Sequence, residues 1–214
     1  MPTTLVLRIK TPPKSPALDL ALAKQHLRID HDEDDSLLGM YINAASSWVE
    51  KYTGRALIAT EYTMAVGDQP IANAWPMTPS PLLVLPLAYS WPPMQPQPMR
   101  LLRAPFLTFG GIQVINPDGT QEVISPAEYQ LDAASEPANF RLTGGFGLLR
   151  GRHLLVTFTA GYGADSSTIP FDIQLALCIL VAYFYENRGD MSMDAMPDAA
   201  ASLLFNYRMV FFGA

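Results

Sequence analysis

The chain has 214 residues, room for one large domain or two small ones, and 49% of them are hydrophobic, ample for a core. Charged residues make up only 16%, fewer than a freely soluble surface usually carries, so part of the surface is expected to lie against neighbouring subunits. A net charge of −6 argues against a general nucleic-acid binder, and the single Cys178 excludes an intrachain disulfide.

The first ten residues lack the apolar run of a signal peptide, so synthesis in a reducing interior such as the cytosol is expected. Leu5–Ile9 alternates weakly and reads as a short strand or an arm, and Pro12, Pro13 and Pro16 mark a non-helical lead-in. Asp19 is placed to cap a helix from Leu20 to about Arg28, with Leu20, Ala23 and Leu27 on one face. An acidic run follows, Asp30-His31-Asp32-Glu33-Asp34-Asp35. A second helix is predicted from Ser36 to Tyr52. Its apolar residues, Leu38, Tyr41, Ile42, Ala45, Trp48, Val49 and Tyr52, recur at three- and four-residue steps, and Gly54 ends it. The small residues Ala44 to Ser47 permit close approach of another helix.

From Ala56 to Ala160 the period changes to two. Ile58–Val66 and Phe106–Ile115 read as strands, the second with a bulge or bend at Gly110-Gly111. Asn116-Pro117-Asp118-Gly119 is a turn that leads into a partner strand, Thr120–Ile124. Ser125 to Glu128 forms one capped helical turn, and Tyr129–Asp132, Phe140–Leu142 and Leu154–Ala160 complete a small β module. Nine of the 19 prolines lie between Pro70 and Pro98, which forbids a central strand or helix there. That stretch reads as an extended surface loop, or as a polyproline-like arm packed on another subunit.

Leu175–Tyr185 is an uninterrupted apolar or aromatic run. Pro170 and Asp172 suit the first turn of its helix, and Arg188 with Gly189 suits the end, giving a helix of roughly 18 residues. Apolar nearly all round, it is expected to be central and covered on several sides. Its clean run is too short for a membrane span. Pro197 and Asp198 open a last helix with Leu203, Leu204, Tyr207, Val210 and Phe211 on its apolar side, and docking onto a partner is the preferred role for this end.

No catalytic constellation emerges. Asp30, Asp32 and Asp34 fit the first ligands of a calcium loop. The required Gly is Asp35, however, and the bidentate Glu is Tyr41, so the fit fails and Asp34 and Asp35 are read as helix-capping carboxylates. Gly145-Phe146-Gly147 breaks the dinucleotide pattern at its third glycine, and Gly161-Tyr162-Gly163 breaks sooner. His26, His31 and His153 have no recognisable partner, and Cys178 is expected to be buried and inert. No cofactor and no metal are expected.

Three segments occur in a particular order and spacing: AKQHLRIDHDEDDSLLGMYINAASSWVEKYTGRALI (Ala23–Ile58), YQLDAASEPANFRL (Tyr129–Leu142) and VTFTAGYG…IPFDIQLALCILVAYFYENRGD (Val156–Asp190). Together with SLLFNYR (Ser202–Arg208) they resemble the head–tail connector, or adaptor, proteins of tailed bacteriophages and gene transfer agents, the gp6-like family and within it the phiE125 gp8 type. The likeness spans about two-thirds of the chain and leaves out Pro70–Pro98.

The resemblance implies a non-enzymatic virion protein of the neck, a ring, commonly a dodecamer, beneath the portal protein. A stopper, neck or tail protein would bind below, and DNA would pass through the lumen without specific binding or any membrane role. The C-terminal residues Leu203, Leu204, Tyr207, Arg208, Phe211 and Phe212 would reach the portal. Asp30, Asp32, Glu33, Asp34 and Asp35 would face the channel or a neighbouring subunit, since carboxylates repel phosphates. A head-closure or tail-completion protein is the alternative. The fold class expected is α+β: a helical bundle, made of a helix hairpin plus long C-terminal helices, with an inserted small antiparallel β module. Residues 1–55 and 162–214 would form the discontinuous helical adaptor domain, and residues 56–161 the insert with its Pro-rich loop 70–98.

Overall fold

The computed structural model describes residues 5–67, 98–143, 152–188 and 196–209. Pro70 to Gln97, Gly145 to Arg150, Gly189, and Val210 to Phe212, on which some of these expectations fall, lie outside the described residues.

The chain is of mixed helix and antiparallel sheet, an α+β protein. It opens with β1 (Leu5–Thr11), then α1 (Leu20–Leu27) and α2 (Asp35–Thr53). Asp19 accepts from the Ala21 N–H at 3.2 Å and so caps α1 through its carboxylate. Gly54 ends α2 in the left-handed region at φ 77°, where its N–H reaches the Glu50 carbonyl at 3.0 Å. The strands β2 (Thr60–Val66), β3 (Met99–Arg100), β4 (Phe106–Ile115), β5 (Gln121–Val123), β6 (Tyr129–Asp132), β7 (Asn139–Leu142) and β8 (His153–Ala160) follow. The helices α3 (Phe171–Glu186) and α4 (Asp198–Leu204) come last.

The strands make two sheets, one in the order β1-β2-β8-β4-β5 and one in the order β3-β7-β6. Alternation decides their faces. Tyr62, Met64 and Val66 of β2 stand opposite Phe158, Val156 and Leu154 of β8, and all six are buried. Ile112 of β4 joins them across from Val156, and the core they share includes Phe140 and Leu142 of β7. Gly110 and Gly111 occupy the expected irregularity, where the β4–β8 register shifts between Phe109 and Gly111. Ser125 caps the turn Pro126–Glu128, and Glu128 reaches back to the Ser125 N–H at 3.0 Å, a complete capping box. Leu5–Thr11 is a strand rather than a free arm, paired antiparallel with β2.

The helices gather around α3, which contributes Ile173, Ala176, Leu177, Leu180 and Val181 to a second core. From α2 come Leu38, Ile42, Ala45 and Val49, and from α4 Ala200 and Leu204. Phe184 lies stacked on Trp48 at 5.9 Å between ring centroids. The expected cover for α3 is therefore present, but incomplete. Phe171 is 85% exposed and Leu175 47%, so one stripe of the helix stays bare. The last helix is short. Seven residues of α4 give way to a single 3₁₀ turn, Phe205–Tyr207, so Tyr207 lies beyond the α-helix.

The helical and β cores meet through backbone. Ala56 N–H donates to Ala104 O at 2.8 Å, Ala59 N–H to Gly163 O at 2.7 Å, and Gly161 N–H to Pro105 O at 2.9 Å. Gly161 has φ 144°, and a Cβ there would lie 2.5 Å from the backbone of Ile58 and Ala59. Only glycine allows that approach.

Leu177 is fully buried at the centre of α3. Leu177→Ala is expected to cost about 2–5 kcal/mol in a denaturant titration, the range for a large-to-small core change. A loss below about 1 kcal/mol would mean that α3 is not the centre of the helical core.

Candidate functional site

Two places join sequence-distant parts of the helical layer, and they fall on the two sets of residues that the sequence singles out. The first is the end of α4 and the segment after it. Leu204 lies wholly within the chain's own core, and Leu203 is partly buried against it. Of these two, Leu204 therefore anchors the segment from inside and presents no surface to a partner. Tyr207 donates its hydroxyl to Asp172 at the start of α3, at 3.2 Å. Arg208 places its guanidinium 5.4 Å from the centroid of the Tyr52 ring. Met209 donates its N–H to the Thr53 carbonyl at 2.8 Å, and its side chain rests against Gly54.

Arg55 organises this corner. Its Nε donates to the Tyr207 carbonyl at 2.6 Å, and its Nη1 pairs with Glu136 in the loop between β6 and β7. A planar fork with several donors can hold a carbonyl and a carboxylate at once. With 13% of its side chain exposed, Arg55 fastens the end of α2, the β module and the C-terminal segment at one point. Sequence reasoning missed it, along with Phe205, which is 69% exposed at the tip of the same segment. Arg55 is one residue beyond the helix-ending glycine, and nothing local marks its distant partners.

The second place is the acidic run. Asp34 occupies the N-cap position of α2, yet its carboxylate makes no capping hydrogen bond, contrary to the expectation for this residue. It instead accepts from the Tyr185 hydroxyl at 2.6 Å and from Arg188 at 3.2 Å, both at the far end of α3. The Tyr185 hydroxyl holds the Asp34 carboxyl below the ordinary value, with Arg188 adding to the effect. Arg188 also lies over the Tyr185 ring at 4.0 Å. Asp35, in the first turn, pairs with Lys24 of α1 at 2.8 Å, and Asp32 with the same ammonium at 2.5 Å. Asp30 and Glu33 point to solvent. The run thus divides into carboxylates that fasten α2 to α1 and α3, and carboxylates that remain outward.

His26, His31 and His153 are exposed and lie on separate elements or loops, while Cys178 is buried and burial pushes its thiol up. Burial likewise pushes the Glu50 carboxyl up, against the Leu57 N–H, which donates to it at 2.9 Å. Among the described residues no group of three His, Cys, Asp or Glu converges as a metal site, and no helix is long and apolar enough to cross a membrane.

Residues 18–80, which carry α1, α2 and β2, match the family described as phage gp6-like head-tail connector protein. The fold extends the likeness over nearly the whole chain. A chain in the neck of an empty gene transfer agent particle with C6 symmetry is 25% identical, with a TM-score of 0.71. A chain in the neck of a native particle with C12 symmetry is 26% identical, with a TM-score of 0.69, and each match covers 97% of both chains. The family match over residues 18–80 and these neck structures together support a head–tail connector protein.

A chain from the virion of a native gene transfer agent particle shares the fold as well, at 24% identity and a TM-score of 0.72 over 97% of both chains. A comparison with curated protein sequences returned no match. The matched 18–80 segment includes the whole acidic run and Arg55. Both fastening points therefore begin within the segment that matches the family.

Two outcomes follow for these fastenings. Arg55→Ala should speed amide hydrogen exchange at Met209 by roughly tenfold or more, the scale of one charge-assisted hydrogen bond, with Arg55→Lys intermediate. Unchanged exchange would show that the segment is held without Arg55. Because the folded-state carboxyl of Asp34 is lowered, its stabilisation is fully present above the ordinary carboxylate range and lost as pH falls through the lowered value. Asn keeps the N-cap preference but not the charge, so Asp34→Asn should lower Tm near neutral pH. The gap to the native chain should close below about pH 4. A gap independent of pH would assign the effect to packing.

Proposed function

We propose that the connector forms a closed ring, commonly of twelve copies, seated beneath the portal in the virion neck, and that it joins capsid to tail without enzymatic activity. The observation that carries this reading is the match over 97% of the chain to a neck chain in a C12-symmetric particle. The helices within residues 1–55 and 162–214 serve as the ring-forming adaptor domain, while β1 of the first stretch joins the sheet of the insert. The β module of 56–161 is the insert carried on it, as in the phiE125 gp8 type. A stopper, neck or tail protein occupies the opposite face.

The C-terminal segment is the portal-facing element. Arg55 and the contacts of Tyr207 and Met209 hold the segment in place, and Arg208, the exposed Phe205, Phe211 and Phe212 supply contacts to the portal. Of the acidic run, Asp30 and Glu33 are the members turned to the channel or a neighbouring subunit, since Asp32, Asp34 and Asp35 already bind partners within the chain. With a net charge of −6, the lumen repels phosphate and lets DNA slide through unbound.

Imaging the purified chain mixed with portal rings tests the reading. The expected product is a second ring stacked on the portal. Binding to tail-side rings but not to the portal would make the protein a head-closure or tail-completion component, and no ring in any mixture would remove the proposal.

A further inference from the structure

Helix α3 is apolar on every side, but the chain covers only part of it. Its buried residues, Ile173, Leu177, Leu180, Val181 and Phe184, lie on the face toward α2 and α4. One turn apart on the opposite face stand Phe171, Leu175 and Cys178, and the first two are exposed. Together with Leu22 and His26 of α1 and Gln174, they line a groove of about 380 Å³ between α1 and α3. No acidic or lysine or arginine side chain lines it. Neither DNA nor a charged partner surface finds a complement there.

The opposite side of the helical layer is also uncharged near its centre. The helices α1, α2 and α3 touch one another pairwise, so the outer groove of the α1–α3 pair points away from α2. On α2 the buried stripe Leu38, Ile42, Ala45 and Val49 faces the core. Helical periodicity puts Met40, Ala44 and Ser47 on the outward face, all exposed, with Met40 at 60%. One flexible thioether side chain projects from a ridge of small residues.

We propose that the α1–α3 groove of one copy receives the Met40 ridge of the next copy around the ring. The inference rests on the ring reading above and names the surfaces that build it. A ring with cyclic symmetry above twofold joins unlike faces, so each copy must carry two different complementary patches on opposite sides. A concave apolar groove and a convex apolar ridge on opposite sides of one three-helix layer meet that demand. Methionine adapts to an irregular groove better than a branched side chain does. Both patches lack formal charge, so no carboxylate or ammonium is desolvated when they join.

Assembly of the full chain with portal rings, followed by mass photometry and electron microscopy, tests the pairing. Leu175 and Met40 are exposed, so charges placed there are accommodated in the monomer, and circular dichroism confirms that each variant stays folded. Native chain is expected to form rings, whereas Leu175→Lys and Met40→Glu each reduce them at least tenfold. The double variant is expected to restore rings, because lysine and glutamate then meet at every junction. Rings from native chain and from both single variants alike would overturn the groove–ridge pairing and leave the ring reading intact. Loss in the singles without restoration in the double would also overturn the pairing. Absence of rings from native chain would overturn both.

Discussion

The structure depends on one burial problem. A helix whose residues are apolar on all sides cannot face water on any of them without penalty, and α3 is such a helix from Leu175 to Phe184. The hairpin of α1 and α2 covers it from one direction, and α4 from another. Because α4 must lie on α3, the C-terminal segment is brought back to the start of α3 and the end of α2. Tyr207 there finds Asp172, and Met209 finds Thr53. The acidic run is drawn in the same way. With α2 packed along α3, Asp34 at one end of α2 meets Tyr185 and Arg188 at the far end of α3. Both polar fastenings are consequences of where the apolar helix must lie.

The two fastenings differ in kind. The Asp34 contacts are partly open to solvent and join two helix ends, so they set the register of α2 against α3 more than they add net stability. Arg55 is more enclosed and bridges three separate parts of the chain. Its removal takes a charged donor from the Tyr207 carbonyl, whereas the Glu136 carboxylate, about half exposed, turns to water. Arg55 fixes the position of the segment that ends at Met209.

Most of the β module was legible in residue patterns, for local reasons. The alternation in Thr60–Val66, the turn Asn116 to Gly119 and the capping box at Ser125 act over a few residues, so they can be read from a few residues. The helices were legible from their periodicity and from Asp19 and Gly54 at their ends. What escaped reading was everything that depends on tertiary placement. Asp34 looks like a cap because capping is local, whereas its partner is 151 residues away. Arg55 finds the Tyr207 carbonyl across 152 residues. The bare stripe of α3 escaped for a related reason: periodicity reports how apolar a helix is but not how much of it the rest of the chain can reach.

The five-stranded sheet takes its first strand from residues that precede α1. Leu5–Thr11 pairs along β2, whose other edge is filled by β8, so β2 has neighbours on both sides. An excised fragment beginning at residue 56 would expose the β2 edge as a row of unpaired amides and carbonyls, a template for adding strands from other molecules. The open edge of the sheet on that side falls instead on β1, where the exposed Arg8 and Lys10 work as a selvedge, charges that discourage a further strand from adding.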